Sequence, residues 1–428
     1  MNCASRARRW PWSRTPPNRS KGQPVTVCHA PLSGIRVLDF TRMLAGPYMT
    51  MNLADLGAEV LKVEEPAKGD ETRGFPPHTE DGESCFFTSV NRSKRSIAID
   101  LRHPEGREVA RALALQADIL AENFRPNVMA RYGLDYQTLR QQHRRLIYCS
   151  VTGYGHTSPL RDVGGYDPIA QAESGLMEMT GFADNAPVRA GGGIIDSLTG
   201  AMAGQAVLAA LIARGSTGQG QFVDISLLDC TLAAMTPYAH STLSTGRDMP
   251  RVGNKSVFMA PMDIYQCADG PVLLIASSDR QFRMLCTEVL QRPELVDDPR
   301  FRTMTDRLAN RQDLDRIIGA ALLEQPRQTW IDRMRPSGIV VGNVRQMSEA
   351  LASPEVRARG MVVAVDGGER ALEDYDTVGS PFFFSHSQLR PPGAAPRLGA
   401  DTDDVLASLL SYSPAQIRAL REAGAIGG

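Results

Sequence analysis

The chain predicts an α/β fold on a mostly parallel sheet, and three observations carry that reading. Short apolar runs alternate with helix-like segments from residue 31 onward, the order produced when helices cross over between parallel strands. Gly and Pro punctuate these pieces where elements should stop. The composition, 42% hydrophobic and 22% charged over 428 residues, is that of an ordinary globular protein with length for two or three domains.

Residues 35–40 form an apolar strand. Residues 47–56 are helical and stop at Gly57. Residues 59–64 are a second strand, ended by Pro66, and residues 96–101 a third. An amphipathic helix over 104–117 has Pro in its first turn. Strands follow at 118–122 and 146–151, then a helix-like run at 169–179. An Ala-rich helix over 201–213 is closed by Gly215; S-T-G-Q-G-Q makes the next turn, and 222–227 is a strand. Residues 248–266 are irregular. Beyond them come a strand at 272–276, helices at 280–290, 314–323 and 326–334, and a strand at 338–344. Strands at 361–365 and 376–379 and a helix at 414–423 complete the chain. The expected division is a large domain from 31–246 and 337–428, with a small domain over 247–336. Residues 1–30, rich in Arg and Pro, read as a disordered extension.

The net charge of −1 gives no reason to expect nucleic acid or a membrane as partner. The apolar stretch 198–213 is short for a span and reads as a core helix. Seven scattered Cys without a C-x-x-C pair suggest a reducing, cytoplasmic compartment. The chain lacks G-x-x-x-x-G-K-[ST], a G-x-G-x-x-G after the first strand, and a G-x-S-x-G elbow. Its His residues show no ligand spacing. No metal and no redox nucleotide is expected.

Ligands of parallel sheets sit beyond the carboxyl ends of the strands. Here those segments are 41–47, 123–126 and 152–156, each mixing small and polar residues. A separate candidate is Asp184, in T-G-F-A-D-N-A-P (180–187). It follows the 169–179 run and precedes the glycines 191–193, so a short carboxylate stands on a loop free to be aimed. A solvated turn aspartate is the plain alternative.

Seven segments in order resemble the class III CoA-transferases: D-F-T-R-M-L-A-G-P (39–47), D-L-G-A-E-V-L-K-V-E (55–64), N-R-S-K-R-S-I-A-I-D-L (91–101), A-E-N-F-R-P (121–126), Y-C-S-V-T-G-Y-G (148–155), Y-D-P-I-A-Q-A (166–172) and T-G-Q-G-Q (217–221). The family includes formyl-CoA:oxalate, carnitine and succinyl-CoA:glutarate transferases and is related to α-methylacyl-CoA racemase. The resemblance implies an interlocked homodimer, each chain with a Rossmann-like large domain and a small domain. It implies coenzyme A as a substrate and an aspartate that forms an acyl anhydride and then an aspartyl-CoA thioester.

In the transferases the aspartate has a T-G-x-x-D-x-x-P-like context, which Asp184 matches. Asp167 matches instead the acid of the racemase subgroup, but Tyr166 stands where that subgroup has His. Asp196, at the start of the helix around Leu198, reads as an N-cap. The resemblance implies CoA contacts at Leu44, Ala45, Ile99, Arg102, Asn123, Phe124, Arg125, Arg131, Thr152, Gly153, Tyr154 and Gly155. Likeness to the succinyl-CoA:glutarate enzymes, in M-N-L-A-D-L-G-A-E-V (51–60) and A-P-V-R-A-G (186–191), implies a succinyl-CoA-like donor and a dicarboxylate acceptor. Arg73 or Arg189 would then hold the second carboxylate. Two departures disfavour oxalate. Glu65 replaces a basic residue of the oxalate enzyme, and R-V-G-N-K-S-V-F (251–258) replaces its glycine-run loop. A racemase or epimerase of acyl-CoA esters and a CoA-binding protein without turnover are the alternative functions.

Overall fold

The computed structural model describes residues 29–368 and 374–428. The extension expected over 1–30 therefore lies, but for its last two residues, outside the described residues. Two compact units make up the chain. One comprises the residues up to Ser174, Gly191–Thr236 and Pro354–Gly428; the other comprises Gly175–Ala190 and Pro237–Ser353. The second unit thus extends beyond 247–336, and it takes in the 175–190 segment that carries Asp184.

In the first unit β1 (Arg36–Asp39), α1 (Ala45–Asp55), β2 (Glu59–Glu64), α2 (Cys85–Asn91), β3 (Arg95–Ala98), α3 (Pro104–Ala114) and β4 (Ile119–Glu122) follow in order. Next come α4 (Val128–Arg131), α5 (Tyr136–Leu139), β5 (Ile147–Thr152) and α6 (Asp167–Glu173). After α7 (Leu176–Met179) of the second unit, the first resumes with α8 (Ile194–Thr217), β6 (Phe222–Ser226) and α9 (Leu227–Ala234). The six strands form one sheet in the order β3-β2-β1-β4-β5-β6, and every pair is parallel. Strand order reverses between β1 and β4, which opens a crevice at their carboxyl ends.

Apolar side chains on one sheet face, Leu38, Leu61, Ile97, Leu120 and Tyr148 among them, pack with Val109 and Leu113 of α3. Val405, Leu406 and Ile417, from helices Thr402–Leu410 and Pro414–Glu422, complete that core. The C-terminal segment also seals the β3 edge. Main-chain N–H groups of Ser96 and Ala98 donate to Asp401 Oδ2 (2.9 Å) and Thr402 Oγ1 (3.1 Å). This satisfies edge groups that otherwise invite pairing with another chain. β3 ends at Ala98, short of the expected 96–101; the Ile99 N–H still donates to the Glu64 carbonyl at 2.9 Å, while Ile99 bridges Ile426.

The second unit has α10 (Thr236–Thr245) leading into an antiparallel sheet of β7 (Met262–Cys267), β8 (Gly270–Ile275) and β9 (Val340–Asn343). Phe282, Leu314, Ile318, Trp330 and Met334 build its own core against that sheet. The β10 (Val362–Val365) and β11 (Tyr375–Val378) pair belongs to the first unit.

Candidate active site

Two adjoining pockets occupy the crevice. The first, of about 470 Å³, is lined by Leu44, Ala45, Asn123, Phe124, Arg125, Thr152, Gly153 and Asp196. The second, of about 240 Å³, is lined by Ile99, Arg102 and Phe124 with Lys62 and Asp70. Arg42 and Phe124 border both, and the Arg42 guanidinium lies 4.8 Å from the Phe124 ring centre. Nine of the twelve expected contact positions thus fall on two neighbouring cavities.

The other three do not. Arg131 is exposed at the end of α4 and lines neither cavity. Tyr154 is buried, with its hydroxyl pushed up by burial and by a hydrogen bond with Glu173. Gly155, at φ 83°, serves the turn, its N–H donating to Thr152 Oγ1 at 2.8 Å. Tyr154 and Gly155 shape the loop rather than line the pocket. Within that loop Gly153 lies so close to Gly165 that a Cβ on it would meet the Gly165 Cα at 2.6 Å.

A buried charge array fixes the loop after β1. Lys62 Nζ donates to the Thr41 carbonyl (2.8 Å) and to Asp70 Oδ2 (2.9 Å). Lys94 Nζ donates to Asp39 Oδ2 at 3.1 Å, and Asp39 also accepts from Thr41 N–H and Thr50 Oγ1. All four charged side chains are fully buried. Burial pushes Asp39 up, but Lys94, Lys62 and the two threonines outweigh it, so its carboxyl lies below the usual range. Burial takes Lys94 down to about 8, partly offset by Asp39. Desolvation offsets much of the attraction in such pairs, whereas removing one partner would leave an uncompensated buried charge.

The turn after β4 is held as tightly. Asn123 clamps the Arg42 main chain, accepting its N–H at 2.8 Å and donating to its carbonyl at 2.7 Å. Below it Glu122 accepts the Phe124 N–H at 2.9 Å. Burial pushes Glu122 up to about 7 despite hydrogen bonds from Ser150 and Phe124, with Asp224 adding to the rise. Neither Arg42 nor Glu122 was singled out from sequence. Arg42 follows directly on the first strand, and that position is the signal that marks it.

The three aspartates separate by environment. Asp184 lies in the second unit on an exposed turn between exposed neighbours. Arg189 is exposed in the same segment. Asp167, at the start of α6, is buried and committed. It accepts from Gln171 Nε2 at 2.6 Å and from the N–H groups of Ile195 (2.8 Å) and Asp196 (3.2 Å). It caps α8 from outside that helix. The expected N-cap reading of Asp196 fails for the same reason. α8 starts at Ile194, after Gly192 and Gly193 at φ 81° and 60°, and places Asp196 in its first turn. The Asp196 carboxylate accepts no hydrogen bond among the described residues and lines the larger pocket. Burial and the neighbouring Asp167 charge push it up to about 7.

Arg73 is also committed, contrary to its expected role. It makes a two-pronged bond to Glu64 (2.8 Å each), donates to the Pro396 carbonyl and lies 3.7 Å from the Phe87 ring centre. Glu65 pairs with Arg102 at 3.1 Å.

The family profile described as CoA-transferase family III matches residues 32–402. A succinyl-CoA:glutarate CoA-transferase of Mus musculus is 36% identical over 416 residues, covering 95% of this chain and 93% of its own. An acetyl-CoA:oxalate CoA-transferase of Acetobacter aceti is 39% identical, covering 83% and 89%. The crystal structure of a CAIB/BAIF family protein from Brucella suis superposes with a TM-score of 0.80 at 35% identity, over 89% of this chain and all of that one. The chain belongs to CoA-transferase family III and is an enzyme of that family.

Proposed function

We propose that the enzyme moves CoA from a succinyl-CoA-like donor to a dicarboxylate through covalent intermediates on Asp196. The observation that carries this reading is Asp196 itself: a half-buried carboxylate that receives no hydrogen bond among the described residues, in the first turn of α8 and in one pocket with Leu44, Ala45, Asn123 and Thr152. Asp196 takes the role expected of Asp184. Its carboxylate attacks the donor thioester carbonyl, forming an acyl anhydride and releasing CoA thiolate. The thiolate attacks the aspartyl carbonyl, leaving an aspartyl-CoA thioester and the freed donor acid. The acceptor carboxylate attacks that thioester to give a second anhydride and thiolate. Attack of the thiolate on the acceptor carbonyl forms the new acyl-CoA and restores Asp196.

Ala45 opens α1 without a side-chain cap and lines the same pocket, so its first-turn N–H groups suit an oxyanion. The strand order supports the expected Rossmann-like domain, and CoA would run along the crevice past Ile99, Arg102 and Phe124. Glutarate and oxalate, acted on by the two curated relatives, are both dicarboxylates, which supports the acceptor class. Free thiols at Cys85, Cys149, Cys230, Cys267 and Cys286 fit a reducing cytoplasm.

Incubation with succinyl-CoA should yield a covalent adduct on the peptide containing Asp196, released by hydroxylamine. Asp196→Asn should lower turnover on the order of 10³-fold or more, with CoA affinity within a few-fold. Asp184→Asn should retain near-parental turnover. The reverse pattern restores Asp184; an active Asp196→Asn enzyme with no adduct removes covalent transfer.

A further inference from the structure

We propose that a third cavity, behind the turn after β4, binds a planar organic cation bearing N–H donors, an amidinium or a protonated aromatic amine. The cavity measures about 310 Å³ and lies wholly within the first unit, walled by α4, α5, β5 and β6. It shares Arg125 and Pro126 with the larger crevice pocket and no residue with the smaller one. Three aromatic rings cluster on it. Phe222 stacks on Tyr148 with ring centres 5.7 Å apart, and Tyr136 lies 5.7 Å from Phe222 and 6.1 Å from Tyr148. Tyr148 is 2% exposed, yet its hydroxyl makes no hydrogen bond among the described residues. The charges nearest that hydroxyl are the Glu122 and Asp135 carboxylates, which line the same cavity, so the phenol oxygen faces into it.

A buried polar group without a partner costs free energy, and native structures rarely leave one unless something else satisfies it. The chemistry around Tyr148 selects what could. Glu122 is buried beneath the cavity and accepts from Phe124 and Ser150. A carboxylate takes about four hydrogen bonds, so acceptor capacity remains. Asp135 is spent on Thr138, whose N–H and hydroxyl reach it at 3.1 and 2.7 Å, but its charge adds to the same field. His156 pairs through Nε2 with Ser150 at 2.8 Å and sets its ring edge against Phe222. Among the described residues the one lining side chain with a fixed positive charge is Arg125, which is exposed. Two carboxylates and a phenol oxygen beside aromatic faces favour a flat cation. Its N–H groups would meet Glu122 and Tyr148, and its body would lie against the rings. The site contains neither Asp196 nor Ala45, so it stands apart from the transfer reaction.

The full-length protein, saturated with CoA, should be titrated calorimetrically at pH 8 with benzamidine and with benzoate, which has a similar shape and the opposite charge. Benzamidine should bind saturably, one per chain, and benzoate about tenfold more weakly or worse. Glu122→Gln should weaken benzamidine by about tenfold or more, the loss of a charge-assisted bond. Ala130→Trp places a large ring at the cavity rim from an exposed position on α4; it should abolish benzamidine binding and leave CoA affinity within about threefold. That variant carries the test if Glu122→Gln does not fold. No saturable benzamidine binding, benzoate binding as tight as benzamidine, or parental benzamidine affinity in both variants would each overturn the site. Displacement of benzamidine by CoA would place it in the crevice and overturn the site equally.

Discussion

Asp196 and Asp167 are two carboxylates with opposite assignments, and the difference lies in which hydrogen bonds each receives. Asp167 takes three donors and stabilises a helix start; Asp196 takes none among the described residues and feels both burial and the Asp167 charge. A nucleophilic carboxylate must be ionised, so activity should rise with pH through about 7, where Asp196 loses its proton. Asp167→Asn removes the neighbouring charge, keeps an oxygen for the α8 cap, and should move that inflection to lower pH. An unmoved inflection in the pH dependence of kcat/KM, which reports the free enzyme, would refute the coupling. The same shift bears on stability. An acid whose pKa is higher folded than unfolded holds its proton more tightly in the native state. Its ionisation therefore costs stability, from nothing below about pH 4 to a full cost above about pH 7. Asp196→Asn, an uncharged isostere, should accordingly melt higher than the parent at pH 8 and alike at pH 4. Equal melting temperatures at both pH values would show that the site stores no such cost.

At the scale of elements, the turn after β4 ties the two pockets together, and Glu122 is its foundation. Glu122→Ala removes the acceptor for the Phe124 N–H and should raise the KM for the acyl-CoA by about tenfold, the worth of a lost buried hydrogen bond. Glu122→Gln keeps that acceptor and should largely restore the KM, with kcat close to parental in both. An Ala variant with parental KM would show that Asn123 and Phe124 hold their places without it. Much of this framework was legible in the sequence. The alternation of strands and helices follows from local periodicity, so the sheet and the ligand segments at 41–47, 123–126 and 152–156 emerged from it, although only Thr152 and Gly153 of the last line the pocket. What escaped depends on distant partners. The glycines at 191–193 read as a loop because nothing local caps a helix there; the cap comes from Asp167, 28 residues earlier. Arg73 read as a free cation because Glu64, nine residues away, becomes its partner only when β2 and the segment after it fold together. Placing Asp184 in a different unit from the crevice required the tertiary structure outright.

At the scale of the whole molecule, apolar surface indicates what a single chain leaves uncovered. α10 buries none of its residues, and its Leu243 is 86% exposed. α8 buries eight of its 24 residues although it is strongly apolar, and its Ile212 is 78% exposed. Isolated exposed leucines are ordinary, but a helix with no buried side has no reason to form on the hydrophobic effect alone. We propose that a second copy of the chain covers these faces, in the interlocked form that the resemblance implies. Such an assembly should bury more than ~2,000 Å², the range of obligate interfaces. Light scattering at micromolar concentration should give twice the 46.6 kDa of the chain. Interlocking adds a kinetic signature that a simple dimer lacks. Tagged and untagged protein mixed under native conditions should form no mixed dimers over hours, yet should form them after joint unfolding and refolding. Leu243→Asp should reduce the yield of refolded dimer. Rapid exchange under native conditions would exclude threading while keeping the dimer, and a monomeric parent enzyme with full activity would exclude both.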